Sequence, residues 1–253
     1  MTTKDVGPAG EWLSELRPSH GTAAGTATLV ILPHSGSSAD SYRDWRQWFP
    51  SDVRLVAAQY PGRGTRYGQP YATDIQSLAD PLAEALAQLP GHLHVFGHSL
   101  GALLGFEVCW RLQRADRPVA AFYPSAAWAP HVHPGRECHA PAMTDDELIA
   151  DLRDRGGVPE DILAEPELLD LVMETCRADM AITGSYDYGS EQRLLECRLV
   201  AFGGDEDTIV PVPRLKRWPE VCAGVGDVRV FAGGHFYLLD HMAELTATIR
   251  SGF

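Results

Sequence analysis

The 253-residue sequence contains no asparagine and only two lysines, Lys4 and Lys216. Without asparagine the chain has no acceptor for N-glycosylation. No apolar run approaches the roughly 20 residues that a membrane-spanning helix needs, and the first residues, MTTKDVGPAGEW, lack the apolar stretch of a signal peptide. We therefore expect a cytoplasmic protein that makes no membrane contact.

Cysteine and positive charge are also scarce. The five cysteines are scattered and never form a C-x-x-C pair, which predicts neither a disulfide scaffold nor a zinc site; we expect no metal and no cofactor. The net charge of -13 disfavours nucleic acid as a partner, because the phosphate backbone would be repelled. With 45% hydrophobic residues the chain can bury one large core, and we predict a single domain over residues 1–253 that acts as a monomer.

Short apolar segments alternate with amphipathic ones, which is typical of a parallel sheet whose strands are joined by crossover helices. Helices are predicted at Ile75–Leu89 and Leu100–Leu112, where apolar residues recur at helical spacing. The predicted strands are Thr28–Leu32, Val53–Ala58, Leu93–Phe96, Val119–Tyr123, Arg198–Phe202 and Val228–Phe231. The fold class is therefore α/β, with a mostly parallel central sheet flanked by helices.

One long stretch, Pro141–Gly184, contains helical segments but no strand. Thr144 and Glu147 have the spacing of a capping box, Gly156 is placed to end that helix, and Pro166 suits the first turn of the next. In a hydrolase such an insert would form a lid over the active site. The alternative is a pair of ordinary packing helices.

Residues 97–101 read G-H-S-L-G, a G-x-S-x-G pattern between the strand LHVF and an apolar helix. So tight a strand-to-helix turn requires small flanking residues and places the serine hydroxyl at the helix N-terminus, where the helix dipole favours developing negative charge. Ser99 is therefore the candidate nucleophile. The alternative is a structural glycine-rich turn, since the bare pattern also arises by chance.

A nucleophilic serine needs a general base, which an acidic residue orients. His235 follows the last predicted strand in the run GGHF and is preferred to His241, which lies in an apolar helical stretch. Asp207 follows the fifth strand with the spacing G-x-x-D-x-x-V and is the candidate acid; Asp205 in the same loop is the alternative. The chain order Ser99, Asp207, His235 is that of the α/β-hydrolases.

A tetrahedral intermediate in acyl transfer needs N–H donors for its oxyanion. The residue after the nucleophile, Leu100, supplies one of them. The loop PHSGSS at residues 33–38 follows the first predicted strand, and its candidate donor is Ser35. The alternative reading of this loop is a plain strand-to-helix turn.

Several further motifs can be read over nearly the whole chain: LPHSGSSADSYRDW, Gln59-Tyr60-Pro61-Gly62-Arg63-Gly64, GHSLGA, Arg177-Ala178-Asp179, Tyr186-Asp187-Tyr188 and GGHFYLL. Together they resemble the motifs of type II thioesterases, the discrete editing enzymes found beside polyketide synthases and nonribosomal peptide synthetases. The P-G-R-G and R-A-D elements are far more specific than G-x-S-x-G. In one departure, Ser35 and Ser37 stand where the family's first loop usually reads P-x-A-G-G.

The resemblance implies an α/β-hydrolase fold and hydrolysis of acyl groups from the phosphopantetheine arm of an acyl or peptidyl carrier protein, with Ser99, Asp207 and His235 as the catalytic triad. Two rival functions are a small-molecule carboxylesterase and a catalytically idle hydrolase-fold binding protein. Apolar residues of the lid are expected to line the acyl channel, the candidates being Leu148, Leu152, Leu168, Leu169, Val172 and Met173.

The implied carrier protein would itself be acidic, so an enzyme with a charge of -13 would need a local basic or apolar patch for docking. The densest basic cluster is Arg214-Leu215-Lys216-Arg217-Trp218, just after the Asp207 loop. We predict that this cluster meets the carrier, with Trp218 as an apolar anchor. The alternative is a solvated helix face with Trp218 in the core.

Overall fold

The structure, a computed structural model, describes residues 8–18, 27–135, 143–158 and 160–253. Within these residues the strands are β1 (Leu13–Arg17), β2 (Ala27–Leu32), β3 (Arg54–Ala58), β4 (His92–His98), β5 (Ala121–Ser125), β6 (Arg198–Gly204) and β7 (Gly226–Phe231). They form one seven-stranded sheet in the order β1-β3-β2-β4-β5-β6-β7. Strand β1 runs antiparallel to β3, and the other pairings are parallel.

The predicted parallel sheet is confirmed, and each predicted strand has a counterpart in it. Strand β1 was not predicted. Its sequence, LSELR, carries polar residues on both sides, and the strand is only half-buried at the edge of the sheet. An edge strand with one neighbour does not need the continuous apolar run that marks a central strand.

The core lies on both faces of the sheet. Along β2, Val30 and Leu32 pack against one set of helices while Leu29 and Ile31 pack against the other, because successive side chains of a strand point to opposite faces. The α-helices are α1 (Pro8–Trp12), α2 (Ile75–Ala87), α3 (Leu100–Arg114), α4 (Asp145–Arg155), α5 (Glu160–Ala164), α6 (Pro166–Gly184), α7 (Val212–Leu215) and α8 (Met242–Arg250), with a 3₁₀ helix at Ala39–Trp48. Across the described residues, no helix has the length and apolar character needed to cross a bilayer.

The predicted insert contains helices α4, α5 and α6, although its residues 141, 142 and 159 lie outside the described part. Helix α4 begins with the predicted capping box, in which the Thr144 amide donates to Glu147 over 2.8 Å and the Glu147 amide donates back to the Thr144 hydroxyl. It ends at Gly156, which adopts a left-handed conformation with φ of 77°. Pro166 lies in the first turn of α6. The predicted helix boundaries are therefore confirmed.

Candidate active site

Four loops that leave the carboxyl ends of parallel strands carry the predicted site residues. Ser35 follows β2, Ser99 follows β4, Asp207 follows β6 and His235 follows β7. Because the carboxyl ends of parallel strands meet at one edge of a sheet, the topology brings these loops together.

Ser99 lies in the tight turn that the sequence predicts. Its backbone has φ 55° and ψ −116°, which is strained for a residue with a side chain, and its amide donates to the Ser125 carbonyl over 2.8 Å. A Cβ atom on Gly97 would lie 2.1 Å from the Gly101 carbonyl oxygen, and one on Gly101 would lie 2.0 Å from that of Leu32. Only glycine fits on either side of the serine, so the motif is a nucleophile elbow in geometry as well as in sequence.

Asp207 and His235 form a buried pair. Asp207 Oδ2 lies 2.8 Å from His235 Nδ1, and its Oδ1 accepts from the amides of Ile209 and Val210 at 2.9 and 3.0 Å. Burial alone would raise the pKa of Asp207, but the hydrogen bond and charge of His235 and the two amides outweigh it, so the pKa lies below its ordinary value. The carboxylate is thus ionised at neutral pH and fixes the orientation of the imidazole.

The alternative acid and base do not join this pair. Asp205 is exposed, and its Oδ1 accepts from the Gly233 amide over 2.9 Å. It therefore ties the loop of the acid to the loop of the histidine without touching the imidazole. His241 hydrogen-bonds a backbone carbonyl at 3.0 Å. Of the competing residues, the structure brings Asp207 to His235.

The loop after β2 lies at the wall of the same cavity as the elbow. The Gly36 amide donates to Asp179 over 2.8 Å, and the Ser37 amide donates to a carbonyl of the same loop over 3.1 Å, so neither is available to a ligand. Ser35 lines the same cavity as Ser99 and Leu100. The loop geometry therefore favours the amide of Ser35, together with that of Leu100, as donors to an oxyanion.

A cavity of about 740 Å³ opens beside the elbow, and both Ser99 and His235 lie at its wall. The insert covers this cavity from one side and supplies Leu152 of α4 and Val172 of α6 to its lining. The insert thus has the position of a lid. Four of the predicted channel residues are absent from the lining, which corrects their placement: Leu148, Leu168, Leu169 and Met173.

The correction follows from helix geometry. The residues of α6 at the cavity wall include Val172, Cys176, Met180 and Thr183, three or four positions apart, as one face of a helix requires. Met173 is one position past Val172, whereas Leu168 lies one turn before Val172, is 42% exposed and does not line the cavity. Apolar composition identifies the helix, but only its packing selects the face that meets the cavity.

These findings agree with three comparisons with known proteins. The family model for the thioesterase domain matches residues 27–252. The chain belongs to the thioesterase family. Thioesterase PikA5 of Streptomyces venezuelae is 32% identical to it over 94% of this chain and 83% of its own. A probable cadicidin biosynthesis thioesterase of Streptomyces griseus is 31% identical over 98% of this chain and 67% of its own.

Among solved structures, the type II thioesterase BorB from the borrelidin biosynthetic cluster superposes with a TM-score of 0.85 at 32% identity, covering 95% of this chain and 97% of that one. YbtT, a type II thioesterase from the yersiniabactin pathway, gives 0.81 at 27% identity over 96% and 98%. The resemblance to type II thioesterases, and with it the α/β-hydrolase fold, is confirmed.

Two further histidines lie near His235 in this thioesterase, and neither was assigned to the site from the sequence. The His98 ring lies 5.3 Å from the His235 ring between centroids, and His34 lies 5.7 Å from His98. Burial, with the nearby charge of His235, lowers the pKa of His34 to about 3 and that of His98 well below its ordinary value. Both rings are therefore neutral. Their only sequence signal is their position beside Ser35 and Ser99.

The predicted docking cluster divides between core and surface. Trp218 is completely buried and donates from Nε1 to the Ala127 carbonyl over 2.8 Å; the prediction that it acts as an apolar anchor is wrong, because the turn that exposes its basic neighbours points the indole inward. Arg217 pairs with Glu220. Arg214 is exposed and stacks over the Trp128 ring at 4.9 Å.

Proposed function

We propose that this thioesterase hydrolyses acyl groups from the phosphopantetheine arm of acyl or peptidyl carrier proteins in polyketide or nonribosomal peptide biosynthesis. The observation that carries the proposal is the buried Asp207–His235 pair, whose histidine lines the same cavity as the strained Ser99. The names of its relatives support the pathway class, since they include biosynthesis thioesterases and type II thioesterases.

In the proposed reaction His235 takes the proton of the Ser99 hydroxyl as its oxygen attacks the thioester carbonyl. Asp207 keeps the proton of the ring on Nδ1 and stabilises the imidazolium. The amides of Ser35 and Leu100 hold the oxyanion. The carbon–sulfur bond breaks, the thiol of the arm takes the proton from His235, and an acyl-serine remains. His235 then deprotonates a water molecule, which releases the carboxylic acid and restores the serine.

The cavity gives the acyl chain a place to lie. Its volume of about 740 Å³ and its largely apolar wall fit an acyl group better than a charged one.

The site is complete within one chain, and we propose that the enzyme acts as a monomer. The four cysteines of the described residues are free thiols, which supports the proposed location in the reducing cytoplasm.

Because the enzyme and the implied carrier protein are both acidic, docking needs exposed cationic groups on the enzyme. Arg214 and Lys216 are exposed, and Arg214 stacks on Trp128, a residue of the cavity wall. We propose that these two cations meet the carrier near the cavity. In the double variant Arg214→Glu and Lys216→Glu, KM for acyl-carrier protein should rise while hydrolysis of a small acyl thioester is unchanged. Equal loss on both substrates would remove them from the docking surface.

The decisive test of the function is Ser99→Ala, assayed on an acyl-carrier protein, an acyl-pantetheine and a p-nitrophenyl ester. Thioester hydrolysis should fall by at least about a thousandfold, because loss of one triad member disables the whole unit. Ser51→Ala, an exposed serine outside the site, is the matched control and should retain wild-type rates. A wild-type enzyme that cleaves the oxygen ester but not the carrier thioester would support the carboxylesterase alternative.

A further inference from the structure

The two most specific sequence motifs, P-G-R-G and R-A-D, meet in one buried ion pair that the triad does not use. Asp179 of α6 is fully buried. Its Oδ2 accepts from Arg63 Nη1 at 2.5 Å and from the Gly36 amide at 2.8 Å, and its Oδ1 accepts from Arg63 Nη2 at 2.7 Å. A buried carboxylate is tolerated when it is paired and hydrogen-bonded in this way. One side chain of the lid helix is thus bonded to the loop that carries Ser35.

The same loop is held on both sides of Ser35. The Tyr60 hydroxyl donates to the Pro33 carbonyl over 3.0 Å, and Arg63 Nη1 lies 3.4 Å from the Ser37 carbonyl oxygen. With the Asp179 bond to the Gly36 amide, these contacts hold the loop before and after Ser35, and the Asp179 bond fixes the peptide unit that joins Ser35 to Gly36. The peptide unit that carries the Ser35 amide is held by the His34 carbonyl, which accepts from the Ser37 amide over 3.1 Å. The amide direction of Ser35 therefore depends on this turn and on the outside groups that hold it.

Helix α6 also packs directly onto the loop. Gly36 has φ of 78°, and a Cβ atom built on it would lie 2.3 Å from Cys176 Sγ, one turn before Asp179. The close approach requires glycine, and the hydrogen bond from the Gly36 amide to the fully buried Asp179 is itself partly buried. A bond in such surroundings is stronger than an exposed one.

We propose that Asp179 is a positioning residue for the oxyanion hole: its carboxylate, oriented by Arg63, fixes the Gly36 amide and thereby directs the adjacent Ser35 amide into the cavity. This inference rests on the proposed function. Because Asp179 belongs to the lid helix α6, the oxyanion hole is complete only when α6 packs against the loop. The contact between the two motifs thus makes stabilisation of the oxyanion depend on the position of the lid.

Asp179→Asn tests the inference with little change in volume. If the amide oxygen stays at the Oδ2 position, it still accepts from the Gly36 amide and Arg63 Nη1, and the NH₂ group opposes Arg63 Nη2. If the amide flips, the NH₂ group opposes both the Gly36 amide and Arg63 Nη1. Either orientation places the NH₂ group against an N–H donor. We expect kcat to fall about 10- to 100-fold, because outright loss of one oxyanion donor costs about 10²- to 10³-fold and a misplacement of about 1 Å costs up to about 10²-fold. KM should change less than about threefold. Arg63→Lys keeps a cation beside Asp179 and should lose less.

The readout that separates positioning from a structural role is affinity for two inhibitors with the same acyl chain. An acyl trifluoromethyl ketone forms a tetrahedral adduct with the serine and needs the oxyanion hole, whereas a thioether analogue of acyl-pantetheine does not. In Asp179→Asn, affinity for the ketone should weaken by the same factor as kcat/KM, and affinity for the thioether should stay within about twofold.

Glu107→Gln provides the matched control. Glu107 is also a buried carboxylate, with Arg111, Arg193 and the Tyr186 hydroxyl each at 2.8 Å, and it does not touch the Ser35 loop. It should lower the Tm without changing kcat per folded enzyme.

Wild-type kcat in folded Asp179→Asn, or equal loss of both inhibitor affinities, would overturn the inference. If Asp179→Asn does not fold, Arg63→Lys decides by the same two affinities. An active Ser99→Ala enzyme would instead refute the proposed function itself.

Discussion

Replacing Asp207 by asparagine removes one charge and leaves the shape of the side chain unchanged. In the wild type, Oδ1 accepts from the amides of Ile209 and Val210. The asparagine must keep its oxygen at that position, because its NH₂ group would otherwise oppose two N–H donors. The NH₂ group then faces His235 Nδ1, which must accept a hydrogen bond. The ring proton is forced onto Nε2, and that nitrogen can no longer take the serine proton.

The expected loss follows from this tautomer change. An imidazole held in the wrong tautomer lowers kcat by about 10³- to 10⁴-fold, which corresponds to roughly 4 to 5.5 kcal/mol in the activation free energy. Binding of the acyl chain does not involve Asp207, so KM should change little. The assay is thiol release from an acyl-pantetheine, with Tm measured to show that the variant is folded.

Asp205→Asn is the matched control, two residues away in the same loop. Its side-chain oxygen can still accept from the Gly233 amide, so kcat should stay within about fivefold of wild type, as a neutral hydrogen bond replaces a charged one. A kcat for Asp207→Asn within tenfold of wild type would refute the tautomer argument, and a reversed ranking of the two variants would make Asp205 the acid.

Three other expectations concern packing and pH. Gly101→Ala should lower the free energy of unfolding by about 3 kcal/mol and reduce kcat, since its Cβ would lie 2.0 Å from the Leu32 carbonyl oxygen; an unchanged urea midpoint would contradict this. Val172→Phe should shift substrate preference toward shorter acyl chains because Val172 lines the cavity, whereas Leu168→Phe should not; identical chain-length profiles would count against the lid as a specificity element. Acid should destabilise the fold below about pH 6.5, because burial lowers the pKa of several histidines and the unfolded chain then binds more protons than the folded one. The free energy of unfolding should fall by up to about 1.4 kcal/mol per pH unit for each such histidine. A free energy of unfolding that stays constant from pH 6.5 to 5 in urea titrations would refute this expectation. These histidines are His34, His94, His98 and His133.

The elements that could be predicted are those whose signal is local. The central strands are buried on both faces and therefore read as continuous apolar runs. The elbow could be predicted because the space around Gly97 and Gly101 admits only glycine, and the sequence shows this requirement as G-x-S-x-G. Strand β1 could not, since its pairing with β3 is a backbone interaction at an edge, and its residues, LSELR, neither alternate between apolar and polar nor form an apolar run.

Other features depend on tertiary packing that a sequence does not display. Two carboxylates, Asp205 and Asp207, lie two positions apart, and only the turn that places Asp207 on two amides decides which meets the histidine. Trp218 stands among cations in the sequence, yet its indole completes the core. Asp179 and Arg63 lie 116 positions apart, so each motif could be recognised in the sequence but the contact between them could not be predicted.

The central claim is that Ser99 takes the acyl group directly from a carrier-bound thioester. Rapid-quench mass spectrometry of the wild-type enzyme mixed with acyl-carrier protein tests it most directly. Peptide mapping should show the acyl mass on the peptide that contains Ser99, appearing before the free acid and decaying at a rate no slower than kcat. Turnover without an adduct on Ser99, or an adduct on another residue, would contradict the account.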